Sequence, residues 1–309
     1  MRIATNTLSQ FVLNGSQTSQ QALATLQEQI STGNSVTEAS DNPLAFDEAS
    51  QTQADLSQLN AYTSAISSAT SATSANNTAM TQIHQLVAQA SEYATTVTSN
   101  MSASDMQNLG TETSALVSQL TSIVNQQDTN GNYMFGGTNN QPPIDTTTGT
   151  YNTSANGVTG TTEVAAGNAV QTSIAAGQPG PPAVDGFLYD STTGVNVLSA
   201  LQQTVTDLNN GDASAVTNTD LPALNAALDQ ISMYVGSTAA NMSAVSTAST
   251  QNQQLVTSDG DHLNSLTQTN LPIATVQLQQ IQNQYEATLE AGSRIMGLSI
   301  LNYLAAPSS

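Results

Sequence analysis

His84 and His262 are the only imidazoles in 309 residues, and they bound the chemistry this chain could host. His262 follows Asp259-Gly260-Asp261, whose donors are of the type that bind a divalent cation. One imidazole and two carboxylates at a glycine within a helical stretch form a poor ligand set, so no metal is expected. His84 sits beside Ile83 on a helical seam and reads as a solvated or hydrogen-bonded histidine. Asp47 and Glu48 are adjacent carboxylates, but no third polar partner is in view. They read as charges complementing the start of a helix. Asp128-Thr129-Asn130-Gly131 loosely resembles a calcium loop, yet lacks the acid required twelve residues in, and reads as a turn. There is no cysteine and hence no thiolate chemistry. No G-x-S-x-G or Ser/His/Asp grouping is visible. The expectation is a protein that is not an enzyme and has no cofactor.

The composition points elsewhere. Charged residues are 8% and aromatic residues 4% of the chain, which is filled instead by Ser, Thr, Asn, Gln and Ala. Such a chain cannot build a large globular core, but it can build helices that share narrow seams. The formal net charge is −20, there is no lysine, and Arg2 and Arg294 are the only basic residues besides histidine. Nothing offsets repulsion by phosphates, so nucleic acid and anionic membrane surfaces are excluded as partners. No apolar run is long enough to span a bilayer, and MRIATNTLSQ lacks the apolar stretch of a cleavable signal. Protonating the 22 carboxylates would leave a nearly neutral chain. That suits a surface working outside the cell in acid, although compositional drift gives the same pattern. The acid reading requires assembly and stability to persist between about pH 5 and 3.

The elements that must carry function are the two ends. From Pro272 to Leu304, Ala274, Leu278, Ile281, Tyr285, Leu289, Gly292, Met296, Ile300 and Tyr303 step three or four residues at a time, one apolar stripe on a helix. Leu8, Val12, Gly15, Ser19, Ala22, Leu26 and Ile30 keep the same step at the other end. Neither stripe can hide on itself, so each needs a partner helix or another subunit. The residues expected to form the assembly interface are Leu8, Val12, Leu26, Ile30, Leu278, Ile281, Tyr285, Leu289, Ile295, Met296 and Leu301.

Between the ends the chain runs out and back. The first helix is expected over Arg2–Ile30, with Thr5 or Asn6 as cap and Gly33 as a left-handed stop. Asp41 or Asn42 can cap the next, with Pro43 at its first helical position and Asp47 and Glu48 in its first turn. No glycine or proline interrupts Leu44–Leu109, and a seam through Leu56, Ile66, Met80, Ile83 and Val97 predicts a helix of ~55 residues, broken near Ser99–Ser104. A second helix follows to Gln127. Asn132–Asp190 is rich in Gly, Pro and β-prone pieces and predicts strands and turns. Helical spacing resumes over Val195–Leu208 and ends at Gly211. Asp220 and Pro222 are expected to open the last long helix, to Thr269, before a joint at Asn270-Leu271-Pro272.

Four stretches resemble one family. They are Ser31-Thr32-Gly33 with Val36 and Ser40-Asp41-Asn42-Pro43-Leu44-Ala45; Ser104-Asp105 with Leu109–Asn125; Gly131-Asn132-Tyr133-Met134-Phe135-Gly136-Gly137-Thr138 with Pro142-Pro143; and Ala291, Arg294-Ile295 with Leu298–Leu304. Together they cover both ends and the middle, and the chain resembles the flagellin superfamily. More narrowly it is similar to the hook-associated proteins of the flagellar hook–filament junction. Pro43 stands where filament flagellins usually have alanine. Asn34 and Ser35 stand where many relatives have basic residues.

The resemblance implies a mainly α fold: an elongated flagellin-like rod of long antiparallel helices with a small β-hairpin lobe and terminal coiled-coil helices. It implies a terminal assembly domain of residues 1–42 with 270–309, disordered in the monomer, a helical rod of 43–140 with 193–269, and a β-rich lobe of 141–192. The implied role is a structural one, a junction protein adapting the hook to the filament of the bacterial flagellum; the alternative is a filament-forming flagellin. The implied partners are the other hook-associated junction protein, flagellin, further copies of the chain in a ring, and an export chaperone on the C-terminal segment. The implied location is extracellular, in the flagellum, reached through the flagellar type III apparatus without a cleaved signal.

Overall fold

A computed structural model of the chain describes residues 2–128, 130–137, 140–152, 159–180 and 183–304. The fold is mainly α with two small hairpins. In chain order the elements are α1 (Arg2–Thr32), α2 (Pro43–Thr96), α3 (Ala103–Val124), β1 (Ile144–Asp145), β2 (Thr150–Tyr151), β3 (Thr161–Ala165), β4 (Asn168–Gln171), α4 (Val197–Asn210), α5 (Ala213–Ala215), a π-helical turn (Val216–Asp220), α6 (Leu221–Thr267) and α7 (Leu271–Leu304). Residues 1–58 and 256–309 group as one compact unit, and residues 59–255 as the other.

Local chemistry accounts for most of the boundaries. Gly33 takes φ 75° directly after α1, a conformation that costs a side-chain-bearing residue far more than glycine. Asn42 Oδ1 accepts from the Ala45 amide and caps α2, while Asp41 turns the other way and accepts from the amides of Thr37 and Glu38. The break after α2 is closed by Ser102, whose Oγ accepts from the Asp105 amide and donates to the Asp105 carboxylate, a reciprocal cap. Asn196 caps α4, which ends at Gly211.

Several sequence expectations need correction. α1 is already helical at Arg2, so Thr5 and Asn6 lie inside it rather than capping it. Asp47 and Glu48 fall one turn later than expected, because α2 starts at Pro43 and its first turn holds no acid. Asp220 does not open the last long helix. Asp212 caps α5 instead, and the π-helical turn leads without interruption into α6. Phe187–Tyr189 is not a strand; Tyr189 makes only an isolated bridge to Asn196. Part of the expected piece Val158–Val164 forms β3, and Val158 itself lies outside the described residues.

In the unit of residues 59–255, α2 and α6 run antiparallel. Ser91 bonds Asn225, Thr238 bonds Asn77, and Asn252 bonds the Leu59 carbonyl, so positions rise in one helix as they fall in the other. The core gathers Met80 and Ile83 from α2, Met106 and Leu120 from α3, Leu198 and Leu201 from α4, and Leu224 and Ile231 from α6. Phe135 and Phe187 enter it from the connecting segments and meet edge to face at 5.0 Å. The Gln230 amide ties the Phe187 segment to α6 by donating to the carbonyls of Gly186 and Phe187. A Cβ on Gly136 would run into the Gln141 carbonyl, which explains why the turn beside Phe135 carries glycine there. The β3–β4 hairpin packs Val164 and Val170 onto Ile66, Ala69, Val245 and Ala248.

Candidate assembly interface

In the other unit, α1 and α7 lie side by side and antiparallel. Val12 faces Gly292, Gly15 faces Thr288, and the Gln20 amide donates to the Tyr285 hydroxyl at 3.3 Å. The chain just past α1 continues the pairing. Asn34 bridges Gln268, the Ser35 amide donates to the Thr267 carbonyl, and the Thr269 amide donates to the Gly33 carbonyl. The α7 residues withdrawn from solvent are Ala274, Leu278, Ile281, Tyr285, Thr288 and Gly292, and those of α1 include Val12, Gly15, Ser19, Ala22 and Leu26. Their steps alternate strictly between three and four, the spacing of a coiled-coil seam.

This seam is thin. Small and hydroxyl-bearing residues (Gly15, Ser19, Ala22, Thr288 and Gly292) alternate along it with Val12, Leu26, Leu278, Ile281 and Tyr285, and a Cβ on Gly292 would come within 2.7 Å of Val12 Cγ1. Close backbone approach closes the contact at the Gly292 end. Large apolar side chains in this unit remain open to solvent: Phe11 is 77% exposed and Val276 65%, with Leu13, Leu44, Leu271, Ile273 and Leu289 also exposed. Arg294 pairs with Glu290 one turn away on its own helix at 2.6 Å, where both are exposed, and such pairs contribute little.

The sequence-derived interface residues divide accordingly. Leu26 is buried, and Val12, Ile30, Leu278, Ile281 and Tyr285 are half-buried along the pair. Leu289 stands off the α1–α7 seam, and Thr288 occupies the position expected for it. The apolar count favours Leu289, but the strict three-four alternation selects Thr288, so the signal was present in the spacing. The side chains of Leu8, Ile295, Met296 and Leu301 lie outside the described residues.

Three of the residues singled out for chemistry, His262, Glu48 and Asp128, have structural partners. His262 Nε2 lies 3.2 Å from Glu48 Oε1, joining α6 to α2 within the unit that holds the terminal helices. Among the described residues, no three His, Asp or Glu side chains gather where they could hold a metal ion. Asp128 Oδ1 accepts from the amides of Asn130 and Asn132 and closes the turn expected there. Asp190 works likewise. The amides of Thr193 and Thr192 hold its carboxyl below the ordinary value of 3.8. No described helix is long and apolar enough to cross a membrane.

Comparison with known proteins places this geometry in a class. Residues 3–140 match the model of the bacterial flagellin N-terminal helical region, so the chain is similar to the flagellin superfamily across α1, α2 and α3. The narrower likeness is to flagellar hook-associated proteins. Flagellar hook-associated protein 3 of Salmonella typhimurium is 32% identical over 166 residues, 52% of this chain and 51% of that protein. The chain spans about half the length of the curated relatives it matches. The flagellar junction protein FlgL of Legionella pneumophila shares the fold with a TM-score of 0.54 at 13% identity, covering 71% of this chain and 99% of its own. FlgL of Bacillus cereus does so with a TM-score of 0.53 at 17% identity, covering 68% and 98%.

Proposed function

We propose that this chain is a structural component of the bacterial flagellum, a hook–filament junction protein that adapts the hook to the flagellin filament. The observation that carries the reading is the open apolar face beside the α1–α7 seam, of which α1 lies in the part of the chain that matches the flagellin N-terminal helical region. Each Leu or Ile sealed against a neighbour contributes ~1.5–3 kcal/mol. Until neighbours arrive, the entropy of ordering a thin helix pair opposes it. Residues 1–42 and 270–309 therefore serve as the assembly domain and stay loose in the monomer. Residues 43–140 with 193–269 act as the helical rod, and 141–192 as its β lobe. Copies of the chain form a ring, meeting the other hook-associated junction protein on one side and flagellin on the other. The C-terminal segment is held by an export chaperone until the chain leaves through the flagellar type III apparatus. Its final place is extracellular.

A strain lacking the protein tests the reading by electron microscopy. The expected result is hooks without filaments and flagellin shed into the medium. Intact hooks whose only missing part is the filament subunit itself, with no flagellin shed, would favour a filament-forming flagellin instead.

A further inference from the structure

One buried acid has no part in assembly. Asp220 ends the π-helical turn between α5 and α6 and is 2% exposed. Its Oδ2 has no hydrogen-bond partner among the described residues. The charged groups that face it are Asp207, from the last turn of α4, and Asp212, the cap of α5; both are acids, and no cation is among the groups acting on it. Asp212 already accepts from the Ala215 amide, and Asp207 from the Gln203 amide. Two ionised carboxylates are acceptors only and repel each other. A buried carboxyl set beside a second carboxyl, with no donor on one of its oxygens, is best accommodated when a proton sits between the two. The π-helical turn creates the arrangement, because it turns both Val216 and Asp220 inward.

We propose that Asp220 and Asp207 share a proton and so form an acid-stabilised latch, pinning the π-helical turn to the end of α4 and releasing it as the medium becomes neutral. This inference does not depend on the assigned role in the flagellum. Burial, with Asp207 and Asp212 alongside, raises the Asp220 carboxyl from 3.8 to about 6. The folded chain thus holds this proton more tightly than the unfolded chain. The stabilisation is complete below the unfolded value and is lost as pH rises through about 6. The exposed turn aspartates behave oppositely. Asp41, held low first by the Thr37 amide, and Asp190 stabilise above the ordinary carboxylate range and lose their effect as pH falls through their lowered values.

Denaturant unfolding of the full chain tests the latch. The folding equilibrium constant is expected to fall about tenfold between about pH 5 and 7.5, and Asp220→Asn, which cannot ionise, is expected to flatten that fall. Carboxyl-carbon NMR of the unmodified chain gives a second readout, in which one aspartate titrates near pH 6. A flat or rising profile overturns the proposal, as does an undiminished fall in Asp220→Asn, or titration of every aspartate below about pH 5. Recovery of the lost stability at neutral pH by added calcium ion overturns it in favour of a cation site.

Discussion

The two units of this chain solve the problem of a charge-poor, aromatic-poor sequence in opposite ways. The unit of residues 59–255 gathers most of its large apolar side chains into one main cluster, although Met233 and Leu255 stay exposed. Phe135, Phe187, Met80, Ile83, Leu120, Leu198, Leu201 and Leu224 are all essentially removed from water. The unit containing the chain ends spreads its apolar residues along two helices and closes the seam between them with Gly15, Ala22, Thr288 and Gly292. Several of its bulky residues, Phe11 above all, face outward. One unit has met most of its burial requirement within the chain. The other holds burial in reserve, and that reserve is what an assembling protein needs.

The sharpest way to break the comparison is to charge the seam. Leu278→Asp together with Ile281→Asp is expected to abolish incorporation into the flagellum. The same pair should barely move the main thermal transition of residues 59–255, followed by calorimetry of the isolated monomer. A large loss of melting temperature with incorporation intact would reverse the roles assigned to the two units. The converse substitution comes next in size. Phe187→Ala removes a ring that packs edge to face on Phe135 and Tyr234, and is expected to cost ~3–5 kcal/mol of unfolding free energy. Chain that still folds should retain its place in the assembly.

Much of this was legible before any coordinates, and for a definite reason. Helix periodicity and punctuation by Gly and Pro are local signals. Pro43, Gly33, Gly211 and the cap region at Ser99–Ser104 therefore marked boundaries within a residue or two. The turn through Tyr133-Met134-Phe135-Gly136 was readable as a motif, although its cause, the crowding of Gly136 by Gln141, is a tertiary contact. Asp220 was misread because an acid two residues before a proline carries the local signature of a helix start. Its burial depends on α4 and Asp207, which no local pattern announces. Leu289 was placed on the stripe by an apolar step of three or four residues, whereas packing against Gly15 selects Thr288 for the α1–α7 seam. The expected interface residues beyond Gly292 are readable only as a stripe, and their side chains lie outside the described residues.

The smallest expected effect separates the units most cleanly, because it touches one and leaves the other alone. Ser102 Oγ accepts from the Asp105 amide at 3.1 Å and donates to the Asp105 carboxylate at 2.7 Å, so one side chain both satisfies a free amide of α3 and orients the acid in its first turn. α3 contributes Met106, Leu116 and Leu120 to the main core, and its fraying would therefore be felt by the whole unit. Ser102→Ala should cost about 1 kcal/mol, which for a unit of this size lowers the melting temperature by roughly 2–4 °C. Ser102→Asp, which keeps an acceptor at the cap, should recover part of that loss. Incorporation should be unchanged in both, because neither variant alters a side chain on α1 or α7. A defect in incorporation from Ser102→Ala at growth temperature would mean that the folded unit and the terminal pair are energetically coupled, and the division of labour drawn between them would fail.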